Sequence, residues 1–384
     1  MASWHNGKKA RDGLGSSQMK QIICYSKFKL DPFSDGGSKR SVQIRELLQG
    51  RGISYVDDSL VLPKNVSKRQ LAKWAFRAIY FIHRYYPHKI KSLSTYIRLI
   101  KYYALRIPGV LDKYKNKDVD FLWENTNDRD MLYLLKATGH RVIGIPHNVE
   151  SLVHGKSIKA LEEEVNNLRH CDAVFAISKE ETWLLRLLGL NAHYLPYYPP
   201  KEVESFLLSI RQKRELRQSR SRKVFSLLGS ATNIPTRSGM QALIDFAATK
   251  ELPFTLLVAG YGTESLKTVS HPNISFRGTL TTDELEKMLI EVDGVIIYQP
   301  PTTGALTRIP EMILAGVPVF ANFDATRNYF GIDGVTRYTS FNDLIDRLNA
   351  PIHLCSSRSI REECAEIEFL DLLVNDDSTL YNNN

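Results

Sequence analysis

Residues 302–322 read TTGALTRIPEMILAGVPVFAN. Two threonines and a glycine lead into Arg308, Pro310 and a single carboxylate, Glu311. An apolar helix-like run follows, then Ala-Gly, then the strand-like VPVFAN. A helix that starts near Thr307 turns the amides of Leu306, Thr307 and Arg308 outward, where they favour an anion. Glu311 lies one turn further in, where a phosphate would repel it unless it faces something else. An ionised carboxylate only accepts hydrogen bonds, and a vicinal diol offers it two donors at matching spacing. A nucleoside diphosphate carries both features, phosphates for the helix tip and ribose hydroxyls for Glu311. The plain alternative is an acid set in the first turn for its attraction to the helix dipole.

The same strand-loop-helix alternation extends in both directions. KQIICYSKF, the loop KLDPFSDGGSKR, the helix-like SVQIRELLQGRG and ISYVDDS open a doubly wound α/β domain. VDFLWE, HRVIGIPHN, CDAVFAIS and NAHYLPY are short apolar runs of the kind that parallel strands need, since both their faces are covered. LPYYPPKEVE interrupts the pattern with three prolines and reads as a domain junction. The alternation then restarts with KVFSLLGSATN, PFTLLVAGYG, NISFRGTL and DGVIIYQPP as strands. Among the helices between them, TTDELEKMLIEV is expected to be capped by Thr282 or Asp283. The expected organisation is a disordered lead-in over 1–19 and a first Rossmann-like domain over 20–198. A second such domain follows over 199–360, then a C-terminal helix and polar tail over 361–384.

A chain of 384 residues, 43% apolar and 24% charged, suits two soluble globular domains. It has no apolar run approaching the roughly 18–20 residues of a membrane span. The polar start MASWHNGKKARDGLGSSQ has no apolar core of a signal peptide. Cys24, Cys171, Cys355 and Cys364 lack ligand spacing and read as reduced thiols, so a cytoplasmic setting is expected. The net charge of +9 is concentrated in a basic helical insert over 64–117, where Asp112 is the one acidic residue. There Arg69, Lys73, Arg77 and Arg84 recur on one helical face, with Trp74, Phe81 and Tyr85 toward an adjoining one. Such interleaving suits an anionic membrane surface or another polyanion, and equally a solvated helix whose aromatics are core. A nucleic-acid partner is disfavoured, because that binder has no use for a diol-reading carboxylate.

Ligands of open α/β sheets collect beyond the carboxyl ends of the strands. Gly36-Gly37, Gly229-Ser230, Gly262 and Gly278 fall at such ends, where glycine lets backbone N–H groups approach a phosphate. Asp57 and Asp58 read as turn residues. His140, His147 and His154 are evenly spaced but lie on different elements, so no metal site is expected.

The two βα domains, the Gly-Gly loop and GALTRIPEMILAGVPVFAN together resemble a GT-B glycosyltransferase. The resemblance is to the large retaining family of bacterial mannosyl- and glucosyltransferases, over roughly residues 20 to 375. It implies two Rossmann-like domains facing each other across a cleft, with the acceptor in the first and a nucleotide-sugar donor in the second. In that family a Glu-x7-Glu motif opens the helix. Glu311 matches the second, ribose-holding position, and Thr303 stands where the first carboxylate holds the donor sugar. His147 matches a strand-end histidine near the reacting carbon. The family's diphosphate clamp falls near Ser230 and Ser238, with Arg237 adjacent and Arg308 as a second charge. Arg277, Gly278 and Leu280 match the base-binding stretch, and Gly304 belongs to the donor loop. The implied function is metal-independent glycosyl transfer with retention to a glycan or lipid-linked acceptor, in the cytoplasm or peripherally on a membrane. A non-catalytic sugar- or nucleotide-binding subunit and a GT-B-like sugar-nucleotide epimerase remain open alternatives.

Overall fold

The computed structural model describes residues 20–60, 65–85, 92–124, 126–153, 157–218, 221–267, 270–352 and 360–375. The lead-in, the polar tail, His154, Cys355 and two pieces of the insert lie outside the described residues. The strands form two six-stranded sheets. The first runs β2 (Tyr55–Asp57), β1 (Gln21–Tyr25), β3 (Val119–Trp123), β4 (Val142–Gly144), β5 (Ala173–Ala176), β6 (Ala192–Tyr194). The second runs β12 (Val335–Tyr338), β11 (Val319–Asn322), β10 (Gly294–Ile297), β7 (Val224–Leu228), β8 (Thr255–Ala259), β9 (Ile274–Gly278). Every pairing is parallel. β3, β5, β10 and β11 are buried along their whole length, because helices cover both faces of each sheet.

Strand order reverses between β1 and β3 in the first sheet and between β7 and β10 in the second. At such a point the loops diverge to opposite faces and leave a crevice at the carboxyl edge. The loops after β1, β3, β7 and β10 therefore frame the candidate site. The connection from β9 enters helix Thr282–Glu291 through a capping box formed by Thr281 and Glu284. Thr281 takes that role instead of Thr282 or Asp283 because its hydroxyl is the one that reaches the N3 amide.

The basic insert is helical and belongs to the first core. Helices Lys68–Tyr85 and Leu93–Ile107 bury Ala78, Phe81, Ile82, Leu99, Tyr103 and Ile107 against Phe121, Trp123 and Leu132. The helix is rotated relative to the expected face. Phe81 is core, Trp74 is half-buried, and Arg77 is committed to Asp112 through two 2.6 Å bonds. The exposed aromatics of helix Lys68–Tyr85 are Phe76 (75%), Tyr80 (67%) and Tyr85 (42%).

Helix Lys201–Glu215 leaves the proline-rich junction and packs on the second core through Val203, Leu207 and Ile210. At the far end the chain returns. Helix Glu363–Val374 inserts Phe369 and Leu373 among Ile22, Ile44, Leu122 and Phe175 of the first core. Arg141 fastens it by donating to the carbonyls of Leu372 at 2.9 Å and Leu373 at 2.8 Å.

Candidate functional site

The first wall of the cleft starts at β1, whose loop leads into helix Gly36–Gly50, capped by Asp35 on the Ser38 amide at 2.9 Å. Gly37 is required here: a Cβ would sit 2.3 Å from the Phe28 ring. That ring in turn stacks on His147 at 4.3 Å. His147 follows β4, and its Nε2 is buried without a hydrogen-bond partner, 3.7 Å from Glu124 Oε2.

Glu124, at the end of β3, is the residue that sequence reasoning missed. Its side chain is fully buried, accepts from Ser41 Oγ at 2.5 Å and pairs with Arg45. Arg45 reaches on to Asp57 at 2.6 Å, so Asp57 serves an ion pair as well as a strand end. Burial alone would raise the Glu124 carboxyl, but His147, Arg45 and Ser41 together hold it down at about 2. A carboxylate closing an apolar strand at the ligand edge of a parallel sheet was the available signal.

The second wall is built on the Gly229-Ser230 loop after β7. Arg308 donates to the Leu228 carbonyl, and a Cβ on Gly229 would lie 2.3 Å from its Nη1. The guanidinium thus braces the loop from beneath. Burial lowers it to about 10, with Glu311 pulling the other way. Ser230 shares a 2.7 Å bond with Thr232, and Arg237 is exposed against the Ser265 carbonyl at 3.2 Å. Gly262 and Gly278 both take left-handed backbone, φ +75° and +69°, and the Gly260 amide donates to the Gly278 carbonyl at 2.9 Å. Arg277 is exposed and Leu280 leans on the second core.

The two walls meet along 302–311. Helix Arg308–Leu314 begins one residue later than expected, with Thr307 as a cap that makes no side-chain bond. A Cβ on Gly36 would stand 3.2 Å from Thr307 Oγ1. One turn further along each helix, Lys39 Nζ donates to both oxygens of Glu311 at 2.8 and 2.9 Å. Tyr197 of the junction adds its hydroxyl to Glu311 at 2.7 Å. Leu306 offers its carbonyl to Tyr329 at 3.1 Å. Thr303 donates to the Val149 carbonyl at 3.3 Å, and Gly304, at φ +83°, packs against Asn148. Thus Gly36, Thr303, Gly304, Thr307 and Glu311 share one seam, with Gly37 and His147 beside it. Arg237 and Arg277 are exposed and make no contact in that seam, while Gly262 abuts Ala231 and Thr232 of the loop after β7 and Gly278 accepts from Gly260 beside it.

Glu181, at the start of helix Lys179–Leu187 beyond β5, is a second carboxyl not foreseen. It is 2% exposed and accepts from the Val149 amide at 2.7 Å and Ser178 at 3.2 Å. Burial pushes it up to about 7, while Val149, Ser178 and Thr303 pull it back. The folded protein therefore holds this proton after the unfolded chain has lost it near 4.5. Stability falls as pH rises from about 4.5 to about 7 and is level above. Glu181→Gln, which mimics the protonated acid, is expected to gain on the wild type by up to roughly 3 kcal/mol between pH 4.5 and pH 8. Urea unfolding at the two pH values measures it; an unchanged difference would return Glu181 to an ordinary carboxylate.

Among the described residues no group of three or more His, Cys, Asp or Glu is placed to hold a metal ion. His140 bonds the Tyr114 carbonyl at 2.8 Å instead.

No protein-family model matches the sequence, and no curated protein matches it significantly. Solved structures do share its fold. HepE from Anabaena, solved with UDP and glucose, is 13% identical, with 86% of this chain and 89% of that one covered at a TM-score of 0.53. A TarM variant from S. aureus, solved with fondaparinux, α-GlcNAc-glycerol and UDP, is 10% identical over 93% and 100% of the two chains, TM-score 0.57. Sucrose-phosphate synthase from Thermosynechococcus elongatus is 13% identical over 93% and 95%, TM-score 0.51. What these chains share with this one is the pair of parallel sheets facing across a cleft, the GT-B fold.

Proposed function

We propose that this GT-B chain is a nucleotide-sugar-dependent glycosyltransferase, with the donor on the second domain and the acceptor on the first. The observation that carries the reading is Glu311, a cleft carboxylate only 9% exposed that faces the Gly-Gly helix of the opposite domain. In that place it accepts from the ribose hydroxyls. The Gly229-Ser230 loop, braced by Arg308, offers amides to the diphosphate, and the Arg277–Leu280 edge takes the base. His147, fixed between Phe28 and Glu124, faces the sugar, with Thr303 and Glu181 on its other side. In the transfer, the bond from sugar C1 to the β-phosphate oxygen breaks and its electron pair leaves with the nucleoside diphosphate. The acceptor oxygen bonds to C1 and its proton passes to the departing β-phosphate oxygen. The fold neighbours support the donor class, since HepE was solved with UDP and glucose and a TarM variant with fondaparinux, α-GlcNAc-glycerol and UDP.

The test is thermal unfolding in the presence of UDP, GDP, ADP, TDP and their sugar conjugates. A true ligand at a hundred times its dissociation constant stabilises by about 2.7 kcal/mol. No shift with any of them overturns the reading. Binding without transfer would make the chain a nucleotide-sugar binder, the outcome that Thr303 in place of a carboxylate favours. The reading carries retention and no metal requirement; transfer assayed in EDTA, with the product anomer identified by NMR, tests both.

The reading includes a lipid-linked acceptor met at an anionic bilayer. Arg69, Lys73, Phe76, Tyr80 and Arg84 are exposed on helix Lys68–Tyr85 at spacings of three and four, which sets them on one face. No described helix is long and apolar enough to cross a membrane. Each Lys or Arg near an anionic leaflet contributes about 1 kcal/mol, and exposed aromatics settle among headgroups. The protein is expected to sediment with phosphatidylglycerol vesicles at low salt and to be released at high salt. Protein left in the supernatant at low salt assigns the face to solvent or a soluble acceptor.

A further inference from the structure

The cations around the cleft are not equivalent. Arg308 is bound to the Leu228 carbonyl, and Arg237 to the Ser265 carbonyl at 3.2 Å. Arg327 is held by the Gly304 carbonyl at 2.6 Å and by Glu180 at 3.3 Å. Each of these is anchored to backbone that a ligand would leave in place. Lys39 is anchored differently. Its ammonium crosses from the first domain to Glu311 of the second, and the two side chains are 16% and 9% exposed. It donates to both carboxylate oxygens, while Tyr197 takes one of them as well. A ribose diol bridging those two oxygens needs the position that the ammonium holds.

We propose that Lys39 is an exchangeable partner: it closes the cleft on Glu311 while the donor is absent, and passes to the diphosphate when the ribose takes Glu311. The inference rests on the reading of Glu311 as the ribose acceptor. Three observations carry it further. The first is register. Gly36 abuts Thr307, and Lys39 and Glu311 each lie one turn beyond, so the ammonium starts one helical turn from the facing starts of the two helices, the second of which sends Arg308 to the loop assigned to the diphosphate. A flexible four-carbon stem spans such a step. The second is charge. Ser230 and Ser238 bring none to the loop after β7, and Arg308 is spent on the Leu228 carbonyl. The third is energetic. Stripping a half-buried ion pair of one member is costly, and an ammonium that moves from carboxylate to phosphate is never left uncovered. A nucleoside without phosphates would have to displace Lys39 and offer it nothing.

The experiment measures, by calorimetry, the dissociation constants of UDP, GDP and ADP and of uridine, guanosine and adenosine. Wild type, Lys39→Met and Lys39→Arg are compared. For the base that the wild type accepts, Lys39→Met is expected to bind the nucleoside more tightly and the diphosphate more weakly. The nucleoside-to-diphosphate ratio of dissociation constants should therefore fall roughly ten- to hundredfold, the range of a charge-assisted hydrogen bond. Lys39→Arg should keep a ratio near that of the wild type. A wild type that binds one of the diphosphates, with the ratio unchanged in Lys39→Met, overturns the exchange and leaves the function standing. A wild type that binds none of the three and is not stabilised by TDP either overturns both. Thermal unfolding reports whether Lys39→Met folds; if it does not, Lys39→Gln, which keeps a neutral donor to Glu311, is read by the same criterion.

Discussion

Glu124→Ala is expected to destabilise the protein by about 3 kcal/mol, the lower end of the range for breaking a buried ion pair. The lower end applies because Arg45, only 4% exposed, keeps Asp57 as a partner. What it loses is the fully buried carboxylate, and Ser41 Oγ loses its 2.5 Å acceptor at the same time. His147 loses the charge beside its unpartnered Nε2. The pH dependence has a definite sign. The Glu124 carboxyl is held at about 2 in the folded state against 4.5 in the free chain. Its contribution is therefore complete above 4.5 and is lost as pH falls toward 2. Urea unfolding of wild type and variant should show a gap that is constant near neutrality and narrows below pH 4.5. A variant as stable as the wild type at pH 7 would contradict the burial and pairing described for this residue.

Glu311→Ala should weaken nucleotide binding by roughly ten- to hundredfold, the equivalent of about 1.5–3 kcal/mol for a lost charge-assisted hydrogen bond. The substitution also strands Lys39 and Tyr197, whose hydroxyl burial and the neighbouring carboxylate hold well above its ordinary pKa. A modest loss of stability accompanies it, so affinity is to be compared between proteins shown to be folded. Glu311→Gln separates the two effects, since it retains a carbonyl acceptor for Lys39 while removing the charge. Unchanged affinity for every nucleoside diphosphate in a folded Glu311→Ala protein would remove the basis of the proposed function.

The parallel architecture was readable because it is written locally. KQIICY, CDAVFAIS and DGVIIYQPP carry the unbroken apolar runs IICY, AVFAI and VIIY, the pattern of short strands covered on both faces. Glu311 was readable for the opposite reason, as one carboxylate in an apolar setting. Its partners were not. Lys39 is 272 positions away and Tyr197 is 114, and charge alone does not single out one lysine among the many. Glu124 closes the strand-like VDFLWE and was read as its tail, and Glu181, in the helix turn just after CDAVFAIS, was given no role. The crevice rule applied to every strand, instead of only those followed by glycine, would have flagged both. Arg308 was expected to point at a ligand; the missing side chain of Gly229 draws it underneath the loop instead. In the insert, aromatics occupy two opposite sides of helix Lys68–Tyr85, Trp74 with Phe81 and Phe76 with Tyr80, so periodicity separated the two faces without saying which one is buried.

The return of helix Glu363–Val374 to the first domain has a consequence for the order in which the molecule is made. Phe369 and Leu373 complete a core that includes Ile22 and Ile44. A ribosome adding about 5–20 residues per second reaches Phe369 roughly 9–34 s after it has passed Tyr197. Throughout that interval the first sheet has its strands and helix Gly36–Gly50, whose Ile44, Leu47 and Leu48 cover part of this face, but the place that Phe369 and Leu373 fill beside Phe175 stays open. The second sheet draws its strands from one contiguous stretch, Val224 to Tyr338, and helix Phe341–Asn349, whose Leu344 and Leu348 join its core, follows at once. The half that is synthesised first is the half that is finished last.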